Sequence, residues 1–258
     1  MPASPMQEGI LQAQRMLRDA HHAVALTGAG LSTPSGVPDF RSPESGLWQQ
    51  VDPFAVASLY AFRSRPQAFY EWIRPMVRRV WNAAPNPAHL ALAYLEKIGI
   101  LKATITQNID GLDLLAGSRR VIEIHGNFRN ATCIGCYKTF PGKEVLVHLM
   151  NDESLPTCKT CGGTLKPNVI LFGEQLPFSE LHASQKETRE CDVMLVAGSS
   201  LTTEPAASLP ELARQHGARL IFVNLQSTWL DDVADVVIHA DVAQVLPDIA
   251  DGLEKCNE

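Results

Sequence analysis

Short, nearly continuous apolar runs that end in small or polar residues recur along the chain. Such runs are typical of parallel β-strands that helices cover on both faces. We predict strands at 23–27, 102–106, 121–124, 167–174, 193–197, 220–223 and 236–238. Apolar residues at helical spacing predict helices at 11–20, 87–98 and 205–216. This alternation predicts an α/β fold with an open, doubly wound parallel sheet, similar to a Rossmann domain.

Two stretches interrupt the alternation. Residues 48–83 are rich in aromatic side chains with helix-like spacing, and residues 131–165 contain two pairs of cysteines. We expect a small inserted domain made of a helical module and a metal-bound ribbon. The Rossmann-like domain would then consist of residues 1–47, 84–130 and 166–258.

The composition is that of an ordinary globular protein. Of 258 residues, 45% are hydrophobic and 19% are charged, and no apolar run approaches the roughly 20 residues that span a bilayer. The first eleven residues lack the basic region and apolar core of a secretory signal, so we expect a cytoplasmic protein that does not bind membranes. The net charge of −6, without a run of Lys or Arg, argues against direct nucleic-acid binding and would attract a basic peptide.

A glycine-rich turn, residues 27–30, follows the first predicted strand. Glycine lets backbone amides approach a pyrophosphate closely, so this turn predicts a dinucleotide site. The spacing differs from GxGxxG, because Gly36 lies six residues after Gly30 and Pro34 interrupts the following helix. By itself, the turn therefore also fits an ordinary strand-to-helix connection. An acid, an aromatic residue and a cation follow it at Asp39, Phe40 and Arg41.

Polar residues follow two more of the predicted strands. Ligands of open α/β sheets bind at the carboxyl ends of strands, where Gln107, Asn108 and Asp110 could bind a sugar or a carboxamide. His125 follows the strand at 121–124, and an imidazole with a pKa near neutrality suits a general base. A solvated loop and a structural histidine are the alternative interpretations.

Four of the six cysteines form two CxxC pairs separated by 21 residues. This spacing matches a tetrahedral zinc site with four thiolate ligands, which has no open coordination position and is therefore structural. A redox CxxC is the alternative, but one pair would be enough for that chemistry. The predicted ligands are Cys133, Cys136, Cys158 and Cys161.

Seven motifs in this order resemble those of the sirtuin family of NAD-dependent protein-lysine deacylases, bacterial or archaeal in type. The motifs are GAGLSTPSGVPDFR from Gly28, TQNID from Thr106, HG at His125, the two CxxC pairs, PNVILFGEQLP from Pro167, AGSSL from Ala197 and VNL from Val223. The resemblance implies a deacetylase or deacylase that acts on acyl-lysine proteins, uses NAD as co-substrate and binds one structural zinc ion. Its products would be nicotinamide and O-acyl-ADP-ribose.

The resemblance also implies roles for individual residues. The catalytic residues would be His125, as the base, and Asn108, which would contact the nicotinamide ribose. The peptide would add as a strand and contact Val169, Phe172, Gly173 and Glu174. The NAD-binding residues would be Gly28, Ala29, Gly30, Ser32, Val37, Asp39, Phe40, Arg41, Gln107, Asn108, Ile109, Asp110, Gly198, Ser199, Ser200, Asn224, Leu225, Gln226 and Val242.

Three departures and three rival functions accompany this resemblance. The family often has threonine at Ser199 and histidine at Asp113, and its members that prefer acidic acyl groups carry Tyr-x-x-Arg where this chain has Tyr70 and Ile73. We therefore expect poor activity on succinyl-lysine, unless Arg74 on the next helical position reaches the acyl pocket. The rivals are a dehydrogenase, an ADP-ribosyltransferase or NAD hydrolase, and a noncatalytic NAD sensor.

Overall fold

Two β-sheets organise the computed structural model, which describes residues 4–39, 51–151 and 154–254. The strands are β1 (Ala23–Thr27), β2 (Leu101–Thr106), β3 (Val121–Glu123), β4 (Gly126–Cys133), β5 (Thr139–Pro141), β6 (Leu165–Val169), β7 (Val193–Ala197), β8 (Arg219–Asn224) and β9 (Val236–His239). Six of them form a parallel sheet in the order β3-β2-β1-β7-β8-β9, and the others form an antiparallel sheet in the order β5-β4-β6.

Ten helices surround the sheets in the described part of the chain. They are α1 (Pro5–Arg18), α2 (Pro53–Val56), α3 (Leu59–Ser64), α4 (Pro66–Asn82), α5 (Pro87–Lys97), α6 (Leu112–Leu115), α7 (Gly142–Asn151), α8 (Phe178–Glu190), α9 (Leu209–Gln215) and α10 (Val242–Glu254). The first begins earlier than its apolar pattern predicts, because Ser4 and Gln7 form a capping box ahead of the apolar stripe. None of the described helices is long and apolar enough to cross a membrane.

The parallel sheet is buried on both faces, as its apolar runs predict. Every residue of β1 and β7 is buried. One core contains side chains from α1, α5 and α10, and the core on the opposite face contains side chains from α9. This arrangement confirms the doubly wound α/β prediction and explains why these central strands need no polar face.

The strand order places a crevice at the centre of the sheet. From β1, the chain continues to β2 and β3 on one side, and from β7 it continues to β8 and β9 on the other. The connections leave the carboxyl ends of β1 and β7 in opposite directions, and ligands of such sheets bind at this switch point.

The helical module and the ribbon share one core. It combines Phe62, Phe69 and Tyr70 from the module with residues of β4, α7 and β6. The hydroxyl of Tyr70 donates a hydrogen bond to the carbonyl of Leu165, and Nε of Arg74 donates to the carbonyl of Leu149, 3.0 Å away, in the last turn of α7. The two inserts therefore form a single small domain.

The strand predicted at 167–174 does not join the parallel sheet. Its first three residues, 167–169, belong to β6, which pairs antiparallel with β4 in the small sheet. The burial along β6 alternates, with one face in the small-domain core and the other partly exposed, so its environment differs from that of the parallel strands. The small sheet thus extends from Gly126 to Val169.

Candidate functional site

A cleft of about 610 Å³ lies at the carboxyl edge of the parallel sheet, against the small domain. It is lined both by predicted NAD-binding residues and by predicted peptide-binding residues. Those predicted from the sequence are Gly28, Ala29, Gly30, Asp39, Gln107, Asn108, Ile109, His125, Val169, Phe172, Gly173, Glu174, Gly198, Ser199, Ser200, Asn224, Leu225, Gln226 and Val242.

The glycines after β1 and β7 let two backbones touch. A Cβ on Gly28 would lie 2.9 Å from the carbonyl oxygen of Gly198, and a Cβ on Gly30 would lie 2.9 Å from the Cα of Gly198. The N–H of Gly30 donates to the carbonyl of Gly198 over 2.8 Å. These glycines are therefore required first for the contact between the loops, and that contact forms the floor of the cleft at the switch point.

Ser32 connects the loops after β1 and β2. Its hydroxyl donates to the carboxylate of Asp110 over 2.8 Å and accepts from Nδ2 of Asn108 over 3.1 Å. The same Nδ2 also donates to the carbonyl of Gly28 over 3.0 Å. Burial raises the pKa of Asp110, while hydrogen bonds from Ser32 and the Leu112 N–H lower it. The amide of Asn108 is thus held in one orientation.

His89 completes this network, and the sequence analysis missed it. Its Nδ1 accepts a hydrogen bond from the backbone N–H of Asn86, which leaves the proton on Nε2 for donation to Ser32, 3.3 Å away. Burial lowers the pKa of His89 to about 4, so the ring is neutral at neutral pH. The available signal was the helix start Asn86-Pro87, because His89 occupies the third helical position of a capping box.

Three predicted NAD contacts lie beside the large cleft. Ser32, Val37 and Asp110 line an adjoining recess of about 20 Å³, together with Asn108 and side chains from α4. Phe40 and Arg41 lie outside the described residues. The recess is next to the polar loop that the sequence associates with a carboxamide.

The loop after β7 is held by polar side chains at the carboxyl ends of β2 and β8. Nε2 of Gln107 donates to the hydroxyl of Ser199 over 2.8 Å, and the N–H of Ser199 donates to Oδ1 of Asn224 over 2.8 Å. Nδ2 of Asn224 is buried and has no partner within the described part of the chain. A buried donor without a partner is unfavourable, so a ligand that accepts a hydrogen bond there fits the site.

His125 stands between the two halves of the cleft. Its Nδ1 lies 3.0 Å from the carbonyl oxygen of Gln107, which can only accept, so Nδ1 carries the proton of the neutral ring. The backbone carbonyl of His125 accepts from the N–H of Ile170, 2.9 Å away. The neutral ring therefore has Nε2 in the unprotonated form that a general base requires.

The segment after β6 forms one wall of the cleft. Both backbone groups of Phe172 are bonded to the helical module: its N–H donates to Ala57 and its carbonyl accepts from Leu59, each over 2.9 Å. The ring of Phe172 packs against Phe54 with centroids 4.8 Å apart.

Further apolar side chains line the cleft. The sequence pointed only to Ile73, as the residue at the acyl-selecting position. The others, which were not predicted as site residues, are Ala57, Phe69, Trp72, Ile170, Leu171 and Leu176. Aromatic residues on a helix such as α4 are more often core residues, so only the fold could distinguish those that also face a cavity.

Four thiols in the ribbon form a compact group. The Sγ atoms of Cys133, Cys136, Cys158 and Cys161 all lie within 4.8 Å of one another. Tetrahedral zinc with Zn–S bonds of about 2.3 Å requires sulfurs about 3.8 Å apart, and two of the pairs here are separated by 3.5 and 3.6 Å. The N–H groups of Gly135 and Thr160 point at sulfurs and would stabilise thiolates. The cluster is therefore positioned to bind one zinc ion.

Curated proteins resemble this chain over nearly its whole length. An NAD-dependent protein deacetylase of Thermodesulfovibrio yellowstonii is 44% identical and covers 95% of each chain. NAD-dependent protein deacylase 2 of Archaeoglobus fulgidus is also 44% identical and covers 97% of this chain and 98% of its own.

Solved structures give the same result. A Sir2 enzyme matches with a TM-score of 0.91 and 42% identity over 97% of this chain and 99% of its own. A Sir2 variant with a deacetylated p53 peptide and 3′-O-acetyl ADP-ribose matches with a TM-score of 0.89 and 36% identity over 94% and 97%. The family model described as "Sir2 family" matches residues 28–205. The chain therefore belongs to the Sir2 family.

Proposed function

We propose that this chain, an NAD-dependent protein-lysine deacylase, carries out its reaction in the large cleft with His125 as the general base. One observation carries the proposal: the loops after β1 and β7, His125 and the segment 172–174 all line the same cleft. The reaction uses NAD as co-substrate and yields nicotinamide and O-acyl-ADP-ribose. A single zinc ion bound by the ribbon is structural, because its four thiolates fill the coordination sphere.

The loops after β1, β7 and β8 bind the nucleotide in this proposal. NAD supplies a ribose carbon that becomes electrophilic as nicotinamide leaves. The pyrophosphate lies along Gly28, Ala29 and Gly30, where the paired backbones keep side chains away. The adenosine half is bound by Gly198, Ser199, Ser200, Asn224, Leu225, Gln226 and Val242. The buried donor of Asn224 that lacks a protein partner supports this assignment.

The network around Ser32 binds the nicotinamide half. Asp110 accepts a hydrogen bond from the carboxamide, while Gln107 and Asn108 bind the adjacent ribose. The position of Asp110 beside a small recess supports its role, and Ser32 holds both Asp110 and Asn108. Val37 and Ile109 supply apolar contact, and Asp39 lines the cleft.

His125 accepts a proton through Nε2. The hydrogen bond from Nδ1 to the carbonyl of Gln107 fixes the tautomer and stabilises the imidazolium that forms. The proton would come from the ribose hydroxyls of NAD, so that a ribose hydroxyl oxygen could attack the acyl carbon. Water would then complete the reaction by releasing the lysine nitrogen from that carbon.

The acyl-lysine peptide binds along the segment that follows β6. Gly173 contributes its backbone groups and Glu174 its carbonyl, and Val169 and Phe172 contribute apolar contact. Backbone pairing of this kind depends little on the sequence of the peptide. The occupied backbone groups of Phe172 support a contribution from its ring instead.

We also propose that the protein works in the cytoplasm on acylated proteins, without direct binding to nucleic acid or membranes. The support is its net charge of −6 and its use of paired thiols where reducing conditions favour metal binding over disulfides.

The proposal is tested by incubating the protein with NAD and an acetyl-lysine peptide, with and without the acetyl group. We expect nicotinamide release that depends on the acetyl group, together with equal amounts of free-lysine peptide and O-acetyl-ADP-ribose by mass spectrometry. Nicotinamide release without the acetyl group would support NAD hydrolysis, and peptide that gains ADP-ribose would support ADP-ribosyl transfer. Absence of nicotinamide release in all reactions would contradict the proposal.

A further inference from the structure

Lys166 is a buried cation that does not line the cleft. It lies on β6, opposite Thr132 of β4, and its side chain is 12% exposed. Its Nζ donates to three oxygens: the carbonyls of Pro167 and Val169 at 3.1 and 2.8 Å, and Oε2 of Glu174 at 3.0 Å. One ammonium group thus connects the end of the ribbon strand to the wall of the cleft.

Glu174 uses the same oxygen to hold a turn. Oε2 accepts from the N–H of Leu171 over 2.8 Å, and the N–H of Glu174 donates to the carbonyl of Leu171 over 3.0 Å. Gly173 has a φ of +82°, which L-residues with side chains rarely adopt, and this conformation turns the backbone between Leu171 and Glu174. Both backbone groups of Leu171 are therefore occupied by Glu174.

The backbone of the next residue, Phe172, is also fully hydrogen-bonded. Its N–H and its carbonyl are both bonded to the helical module. Gly173, in contrast, has no hydrogen-bond partner within residues 4–39, 51–151 and 154–254. A peptide that adds as a strand can consequently pair at Gly173 but not at Leu171, so the turn fixes the register of the substrate.

We propose that Lys166 is a positioning residue for the acyl-lysine peptide, acting through Glu174 to keep this turn closed and Gly173 available. The inference rests on the proposed function, because it assumes that the peptide binds along this segment. Glu174 is 16% exposed, and a carboxylate in such a place is stable only when it is paired. Without the ammonium, the carboxylate turns towards water and releases the N–H of Leu171.

Nucleotide binding at the loops after β1, β7 and β8 serves as an internal control for peptide binding. Lys166 contacts none of the loops after β1, β7 or β8 through its three hydrogen bonds, so its loss should weaken peptide binding and leave nucleotide binding unchanged. Burial lowers the pKa of Lys166 and the charge of Glu174 opposes this shift, which agrees with a pair whose members depend on each other.

The test compares Lys166→Met with the parent in the binding of an acetyl-lysine peptide without NAD, measured by fluorescence anisotropy, and of ADP-ribose, measured by calorimetry. We expect the Kd of the peptide, and its KM in turnover, to rise at least about tenfold, while the Kd of ADP-ribose changes less than about twofold. Lys166→Arg should restore most of the peptide affinity, since a guanidinium can bridge the same oxygens. Lys186→Met, which removes the cation of an exposed pair with Glu190, is the matched control and should bind the peptide like the parent.

Glu174→Gln keeps the test decisive if Lys166→Met does not fold, because it removes the same charge pair with a side chain of the same shape. It should weaken peptide binding, and the double variant should be no weaker than the worse single variant. Unchanged peptide affinity in Lys166→Met or Glu174→Gln, or equal loss of ADP-ribose affinity, would overturn the inference. A parent protein that binds no acetyl-lysine peptide would instead overturn the proposed function.

Discussion

Ser32 illustrates how buried polar residues orient an active site. Its hydroxyl has one proton, which it gives to Asp110, and its two lone pairs accept from Asn108 and His89. Every hydrogen-bonding position of the hydroxyl is used once, so the three partners can adopt only one pattern of donors and acceptors. The neutral state of His89 is a requirement of that pattern, and its lowered pKa provides it.

At His125 we predict that substitution by alanine separates binding from catalysis. His125→Ala should fold and bind ADP-ribose like the parent, because His125 is only partly buried and lines the cleft. Its deacylation rate should fall by roughly 100- to 10,000-fold, the usual contribution of a general base. Steady-state kinetics with calorimetry check both parts, and exposed His216→Ala serves as the control. Turnover equal to that of the parent would rule out His125 as the base.

The carboxyl group of Asp113 is buried, and its Oδ1 lacks a hydrogen-bond partner in the described part of the structure. Burial, followed by the charge of Asp110, raises its pKa from 3.8 to about 7. The folded state therefore retains a proton that the unfolded chain loses above pH 4. Stability that depends on this proton is complete at low pH and is lost as the pH rises from about 4 to 7.

Asp113→Asn should remove this pH dependence, because asparagine stays neutral. We predict that the free energy of unfolding of the variant, relative to that of the parent, increases by roughly 2 kcal/mol from pH 5 to pH 8. Urea unfolding at both pH values measures it, with exposed Asp251→Asn as the control. If the variant and the parent differ in free energy of unfolding by the same amount at pH 5 and pH 8, Asp113 is already ionised at pH 5.

At the scale of elements, α4 presents two faces to two environments. Phe69, Trp72 and Ile73 line the cleft. Tyr70 is bonded to Leu165, and Arg74 donates to the end of α7, so both point into the small domain. The possibility that Arg74 reaches the acyl pocket is therefore not supported by its position. Tyr70 does not line the cleft either, but the position expected to carry arginine in enzymes for acidic acyl groups is occupied by the apolar Ile73.

From this face we predict a preference for acetyl over succinyl groups. A succinyl carboxylate beside Ile73 would be buried without a partner, so the specificity constant for a succinyl peptide should be at least about tenfold below that for its acetyl version. Ile73→Arg should reduce the ratio of the acetyl to the succinyl specificity constant, whereas Arg74→Met should leave this ratio unchanged. Faster removal of the succinyl group by the parent would contradict this prediction.

The sequence predicted the parallel strands well because the central ones are buried on both faces and therefore almost continuously apolar. It assigned 167–174 to the wrong sheet, since an apolar run does not reveal its pairing partner. It predicted no helix at α8, whose sequence is mostly polar. In the site, the linear motifs gave the cleft residues. The capping box marks His89 only as part of a helix start, and its contact with Ser32, 57 residues away, depends on the fold. The partners of Lys166 are close in sequence, but its pairing with Glu174 requires the turn after β6, which no motif showed.

At the scale of the whole molecule, the zinc ligands belong to the core that also supports α4. Cys133 and Cys158 are buried in the same cluster as Phe69 and Ile73. Metal binding in such a site contributes directly to folding. The state of the ribbon should therefore affect the acyl side of the cleft more than the nucleotide side.

We predict one zinc per chain and loss of activity when it is removed. A strong chelator, or Cys158→Ser, should disorder the ribbon and abolish deacylation, while ADP-ribose still binds. Metal analysis and calorimetry check this, and Cys191→Ala, which alters a thiol outside the cluster, should retain the metal and the activity. Fully active protein without bound metal would contradict the prediction.

The β-bridge between Ser58 and Phe172 has a consequence for folding during synthesis on the ribosome. The helical module is synthesised early, yet Phe62, Phe69 and Tyr70 are covered by side chains from β4 to Leu171. An emerging chain must therefore carry these aromatic residues without their partners until residue 172 has left the ribosomal tunnel. Domains usually fold as units during synthesis, so this interval is when the nascent chain is most exposed to aggregation and most in need of a chaperone.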